Sequence, residues 1–430
     1  MRPTLSVPIS ALTALAFALA PAPARAGGFA VAQQGARSMG FGGAFTAQAA
    51  DPSSIAHNAA GIAFLRGRQA SVGGAWLRPS TTFTGSDPVP GAGASGRTER
   101  LALFPPAVFY THQFSERIVL GAGFTRPFAL RNRWADPEAF SGRFLGQRTD
   151  IDVYSINPTV AYRVADRLAV GVGVDMRRST IALRRRFPGL RPGTNAIVDA
   201  ASVRVDARRD TAFAVNVGVL ARPIENLSIG AHYRSGVTHN YQGDAEFSLL
   251  PTGSAELDAA VAEIIPAGTL PFRSSIRFPH SFAAGAAYEW GDWTFAGDVG
   301  LFLWSRFQQI AVDFEGREDL REIVVQDYSD SMQIRVGAER RLGTRWAVRG
   351  GYFFDDSPAP AASLSPVLFD ADRHGLTVGG SWQQGPVRID AAGGIVSSSP
   401  RSTGGASREA FEGSYRTRAV TAALSIGYAF

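Results

Sequence analysis

The 430-residue chain contains no cysteine and no lysine, so each of its 43 basic residues is an arginine. Without cysteine there can be no disulfide framework and no thiolate metal site. The missing lysine reads as a base-composition bias of the source genome. No basic tract interleaved with aromatics exists, so no nucleic-acid partner is expected, and the formal net charge of +6 is modest. Nowhere do 18 consecutive apolar residues occur, which excludes helical membrane spans. Pro/Ser-rich or charged linkers are also absent, so the chain beyond its leader reads as one continuous domain.

At the start, Arg2, the apolar run from Leu12 to Ala20 and Ala24-Arg25-Ala26 make a secretory signal peptide over residues 1–26, with a mature start at Gly27. An exported chain of this length without disulfides is either a secreted globular protein or a membrane β-barrel. Glycine at 47 residues and phenylalanine at 28 suit strands that alternate small lumen-facing with bulky lipid-facing side chains.

Segments of alternating polarity recur from residue 69 to the end and predict an all-β fold, a transmembrane antiparallel β-barrel of about 14 strands. The expected spans are 69–83, 101–113, 118–128, 150–164, 168–184, 203–221, 227–243, 272–289, 293–312, 328–341, 346–354, 373–383, 387–396 and 413–430. In the fifth, Leu168, Val170, Val172 and Val174 share one face, opposite Ala169, Gly171, Gly173 and Asp175. The connections alternate between short, such as Gly291 to Asp292, and long, such as 244–271, as periplasmic turns and extracellular loops do. With an even number of strands, both barrel ends fall on the short-turn side.

Residues 27–68 lack this period. They are rich in Gly and Ala, carry Phe29, Phe41, Phe45, Ile55, Phe64 and Leu65, and place Asp51-Pro52 as a helix N-cap and first helical residue. This composition predicts a small N-terminal plug (hatch) inside the lumen, with 69–430 as the barrel; the alternative is a disordered periplasmic tail.

Gly27-Gly28-Phe29, Gly40-Phe41-Gly42-Gly43-Ala44-Phe45 and the stretch from Asp51 to Asn58-Ala59-Ala60-Gly61 resemble the start and plug of FadL-type outer-membrane transporters of long-chain fatty acids and their aromatic-hydrocarbon relatives. That family has Asn-Pro-Ala-Gly where this chain has Asn58-Ala59-Ala60-Gly61. Further similarity lies in Ser155-Ile156-Asn157-Pro158, Tyr233-Arg234-Ser235, Trp304-Ser305-Arg306-Phe307 and Phe354-Asp355-Asp356-Ser357-Pro358. The resemblance implies a fourteen-stranded barrel with a hatch and an apolar lumen pocket, and exit of substrate sideways beside a kinked third strand. It also implies a monomer.

A greasy substrate needs apolar side chains inside the lumen, so inward aromatics are informative. Parity places Phe302 and Trp304 on the face of Asp298, where they line the pocket or pack on the plug. Arg185 continues the inward parity from Asp175 and lies where the family places a head-group arginine; the alternative for Arg184-Arg185-Arg186 is binding lipopolysaccharide phosphate. Pro127 removes a ladder hydrogen bond and predicts a kink or gap in the third strand, unless it merely marks that strand's outer end. In the plug, Phe29 would reach the pocket, while Asn58 and Gly61 form its turn. The six histidines form no His-x-x-x-His pair and no Gly-x-Ser-x-Gly occurs, so neither a metal or cofactor nor an enzymatic activity is expected. A lipase-like barrel assembled from distant residues and a structural or adhesive barrel remain the readings from other classes. Terminal Phe430 is expected to signal to the barrel assembly machinery, with outer-membrane lipid and lipopolysaccharide as surroundings.

Overall fold

The computed structural model describes residues 28–31, 34–194 and 196–430; the expected signal peptide and the mature start at Gly27 lie outside the described residues. Fourteen antiparallel strands form the wall. They are β1 (Arg68–Gly85), β2 (Pro106–Gln113), β3 (Ile118–Arg133), β4 (Arg148–Ala165), β5 (Leu168–Leu190), β6 (197–224), β7 (227–249), β8 (268–290), β9 (293–314), β10 (Ser331–Leu342), β11 (Trp346–Asp355), β12 (Arg373–Gln384), β13 (Val387–Ser398) and β14 (Gly413–Ala429). Each pairs with its sequence neighbour, and β14 returns to β1 from Gln69↔Ala429 to Gly85↔Gly413, which closes the ring. Closure removes the sheet edges that lipid could not hydrogen-bond.

Alternation is as expected in β5, where Val170, Val172 and Val174 are exposed and Ala169 and Asp175 buried. Around the ring Val72, Val160, Val217, Val299, Val336, Val378 and Leu424 face outward and form the apolar band. Tight turns such as Gly291 (φ 56°) and Gly385 (φ 56°) adopt the left-handed conformation that favours glycine.

Three strand expectations change. The second strand begins at Pro106 and not at residue 101. The ninth strand is not continuous: it runs Trp293–Phe302, breaks at a 3₁₀ turn over Trp304–Arg306, and resumes at Gln309–Phe314. Its neighbour β8 is interrupted at the same level, between Phe278 and Ser281, where Pro279 has no N–H to give the ladder. The third strand continues past residue 128 to Arg133, so Pro127 lies within it and not at its outer end.

Residues 34–65 are buried against lumen-facing side chains and backbone of the wall. They contain α1 (Ala36–Gly40), α2 (Ser54–His57) and a 3₁₀ turn over Ala59–Phe64. Asp51 acts as an Asx turn before α2, its Oδ1 accepting the Ser53 N–H at 2.8 Å, and the helix begins two residues later than Asp51-Pro52 suggested. Asn58 caps the turn that lacks the proline. Its Oδ1 accepts the Ala60 N–H at 3.1 Å, while Nδ2 donates to the carbonyls of Thr46 (2.8 Å) and of Val219 in β6 (3.0 Å). Gly61 packs where a Cβ would come within 3.0 Å of Ser54 Cβ.

Candidate functional site

The site begins with an incomplete seam in the wall. Pro105 and Pro106 end β2 early, because neither can donate to a ladder. β3 is paired with β2 up to Thr125↔Ala107, and is next met from that side at Arg133, whose carbonyl accepts the Glu99 N–H at 2.7 Å. On its other side, Arg126 and Pro127 together oppose a single residue of β4, since pairing jumps from Thr125↔Ser155 to Phe128↔Val153. That is a β-bulge at the kink expected from Pro127.

The N-terminal residues cover this seam. Ala30 bridges Phe128 antiparallel, the Val31 N–H donates to the Pro127 carbonyl (2.9 Å), the Ala129 N–H donates to the Phe29 carbonyl (3.1 Å), and Gln34 Nε2 donates to the Arg126 carbonyl (3.2 Å). Backbone groups that the ladder leaves open between 126 and 129 are thus satisfied by a short extra strand. Phe29 itself is held by rings: centroids lie 4.9 Å from Trp304, 5.7 Å from Phe278, 6.0 Å from Phe307 and 6.1 Å from Phe128.

Against the covered seam lies a cavity of about 170 Å³ whose wall includes Phe29, Leu77, Leu103, Leu130, Phe353 and Val396. Arg131 and Arg373 reach its border; Arg373 donates to the Gly28 carbonyl at 2.8 Å. On the other side of Ala30 and Val31 is a second, more polar cavity of about 150 Å³, lined by Pro127, Phe128, Arg177, Arg234, His57 and Asp298 among others. Residues 30 and 31 border both cavities.

The expected site residues therefore divide. Phe29 and Pro127 meet at the seam, and Trp304 is buried against Phe29 from its 3₁₀ turn. Phe302 is half-buried and borders the more polar cavity. Asn58 and Gly61 sit deeper, where Asn58 fastens the plug to β6. Arg185 borders neither cavity: its guanidinium pairs with Glu322 at 2.8 Å and lies 4.6 Å from the centre of the Phe187 ring. The residues missed from sequence are Leu77, Leu103, Leu130, Arg131 and Arg373; Pro105-Pro106 was the available signal that β2 stops short beside them.

The plug body is fixed by charge as well. Asp298 Oδ2 accepts the N–H groups of Phe45 (2.7 Å) and Thr46 (2.8 Å), and Arg37 pairs with Glu339 (3.2 Å), which also binds Arg349. Changing Asp298→Ala leaves two buried donors unpaired, at about 1–3 kcal/mol each. The expected outcome is a lower midpoint of thermal unfolding and a higher basal ion conductance in planar bilayers; wild-type values for both would remove Asp298 as an anchor.

A closed barrel with an outward apolar band, an internal plug and an apolar cavity against a wall seam defines an outer-membrane transporter of hydrophobic compounds. Residues 17–430 match the family described as outer membrane protein transport protein (OMPP1/FadL/TodX), and the chain belongs to it. It is 23% identical over 362 residues to a long-chain fatty acid transport protein of Salmonella typhi, covering 80% of this chain and 81% of the relative. It is 24% identical over 419 residues to outer membrane protein P1 of Haemophilus influenzae, covering 87% and 86%. The fold is similar to that of a Pseudomonas aeruginosa FadL homologue (TM-score 0.81, 18% identity, 94% of this chain and 100% of the other). It is similar too to the Pseudomonas putida toluene transporter TodX (TM-score 0.69, 18% identity, 92% and 98%). Membership places the chain in the outer membrane, with short turns toward the periplasm and long loops outside.

Proposed function

We propose that this chain takes up long-chain fatty acids: the molecule binds in the apolar cavity, displaces residues 28–31, and leaves sideways through the seam between β2 and β3. The observation that carries this reading is the placement of Ala30 and Val31, which at once partition two cavities and cover the open edge of β3. The apolar cavity alone, at about 170 Å³, is smaller than the roughly 300 Å³ at which ligand pockets begin. An extended alkyl chain therefore requires the partition to move, which couples occupancy to opening because the ligand fits one state better than the other.

The carboxylate would meet Arg131 and Arg373, which reach the cavity border and there exchange long ion pairs (Arg131–Asp152, 3.6 Å; Arg373–Asp355, 4.0 Å), whereas Arg185 borders neither cavity and holds Glu322 at 2.8 Å. In a binding assay on the purified protein, affinity should rise with chain length, and Arg131→Gln with Arg373→Gln should weaken a long-chain acid about tenfold while sparing a hydrocarbon of equal length. A second reading, uptake of aromatic hydrocarbons, is favoured by the cavity's resting size, because an apolar cavity of about 150 Å³ holds a benzene. Tighter binding of toluene than of any long-chain acid would select it.

A further inference from the structure

On the outward face of β14 and β1 the apolar band gives way to arginine toward the long-loop end. Along β14 the exposed side chains run Ile426, Leu424, Ala422, Val420, and then Arg418 and Arg416. Along β1, Val72 and the half-buried Trp76 precede the exposed Arg78. Register brings these together. Arg418 lies opposite Ser80, so Arg78 is its diagonal neighbour, at about 7–8 Å between backbones. Thr82 lies between Arg416 on one side and the exposed Arg97 on the other, an interval of two strand spacings, about 9–10 Å. Arg78 Nε donates to the Arg100 carbonyl at 3.3 Å, which brings in a fifth exposed arginine.

Among the described residues, none of these five arginines is in an ion pair. The contrast with Arg184, Arg185 and Arg186 is direct, since their charge is met by Glu138, Asp199 and Glu322. Guanidinium groups are planar forks suited to phosphate, and five of them, neighboured by the exposed Glu99 but with no described carboxylate within 4.0 Å, directly above apolar side chains, form a surface with two chemistries in vertical order.

We infer that Arg78, Arg97, Arg100, Arg416 and Arg418 form a binding site for the phosphorylated glycolipid of the outer leaflet. Its phosphates sit on the arginines, and its acyl chains lie along Val420, Leu424 and Val72. An amphiphile fits this placement, because the arginines stand at the outer border of the apolar band that faces the acyl chains of the membrane, the level at which a lipid phosphate lies. The site is on the outside of the wall and is separate from the lumen cavities, so it does not depend on the transported substrate.

The test uses the full-length protein purified in detergent and stripped of lipid, with binding read by native mass spectrometry. The probes are bis-phosphorylated lipid A, the same lipid dephosphorylated, and inorganic pyrophosphate. Lipid A should bind, the dephosphorylated form should bind at least about tenfold more weakly, and pyrophosphate should not displace lipid A at equal concentration. Arg78→Gln/Arg416→Gln/Arg418→Gln should lose at least about tenfold in lipid A affinity, whereas Arg66→Gln/Arg117→Gln/Arg345→Gln on the short-turn side should not. Heat-modifiable gel mobility checks that each barrel is folded. If the triple variant does not fold, Arg97→Gln/Arg100→Gln, outside the long strands, reports the same loss. Equal binding of both lipid forms, unchanged affinity in the variants, or full displacement by equimolar pyrophosphate would each overturn the site as a glycolipid site.

Discussion

Uptake of a hydrophobic substrate should stop when Ala30→Cys and Phe128→Cys are joined by a disulfide, and should return when the bond is reduced. The two residues face each other in an antiparallel bridge, where Cα atoms are about 4.5–5.5 Å apart, within the range a disulfide spans. The chain has no cysteine of its own, so the engineered pair cannot mispair within the molecule. The bond would hold the N-terminal strand against β3, keep the cavities on either side of Ala30 and Val31 separate, and hold the seam covered. The reduced double variant is the internal control for losing the Phe128 ring, which packs on Phe29, Phe278 and Trp304. The expected ratio of reduced to oxidised uptake is on the order of a hundredfold, because a covalent tether removes the open state instead of merely biasing it. Equal uptake in both redox states would mean that passage does not need residues 29–31 to part from β3, and the lateral route would fall.

Much of this architecture was legible because lipid enforces period 2. A charge at mid-membrane on the outward face costs about 2–4 kcal/mol, so positions such as Val170, Val172 and Val174 keep their parity and Asp175 stays inside. Turn lengths were legible for the same reason, the periplasmic turns being short. The interruption of β9 was not, because Phe302 and Trp304 continue an aromatic alternation through residues that leave the ladder; the cause lies across the sheet, at Pro279 in β8. Arg185 shows a second limit. Parity correctly turns it inward, but no spacing rule announces Glu322, which is 137 positions further on and contributes the ion pair. The seam was half legible: Pro127 signalled the bulge, while the part played by residues 29–31 depends on chain segments nearly a hundred positions apart.

What keeps the plug body in place while its N-terminal strand moves is the set of wall glycines behind it, and filling them should turn the closed barrel into an open pore. A Cβ on Gly230 would lie 2.3 Å from the Thr46 carbonyl oxygen, and one on Gly351 would lie 2.1 Å from the Gly42 nitrogen. Gly171, Gly218 and Gly337 make similarly close approaches, at 2.4 Å to Ala59 C, 2.0 Å to Asn58 Oδ1 and 2.4 Å to the Phe41 carbonyl oxygen. Plug backbone is thus seated directly on β5, β7, β10 and β11, and the Asn58 side chain on β6, whereas at Gly121 in β3 the nearest plug atoms are the Cδ1 atoms of Ile55 and Ile62. Backbone cannot swing aside as a side-chain end can, so each substitution costs about 1–3 kcal/mol through overpacking, and the two together exceed what a few plug hydrogen bonds return. The barrel ladder loses nothing, because alanine keeps the glycine N–H and carbonyl. Gly230→Ala/Gly351→Ala should therefore fold with normal heat-modifiable mobility yet conduct ions continuously in a planar bilayer, at a level at least about tenfold above wild type. Gly350→Ala, where a Cβ meets nothing within 4 Å, serves as the control and should stay closed. If the double variant also stays closed, the glycines are not the seat, and the anchors at Asp298 and Asn58 suffice to hold the plug.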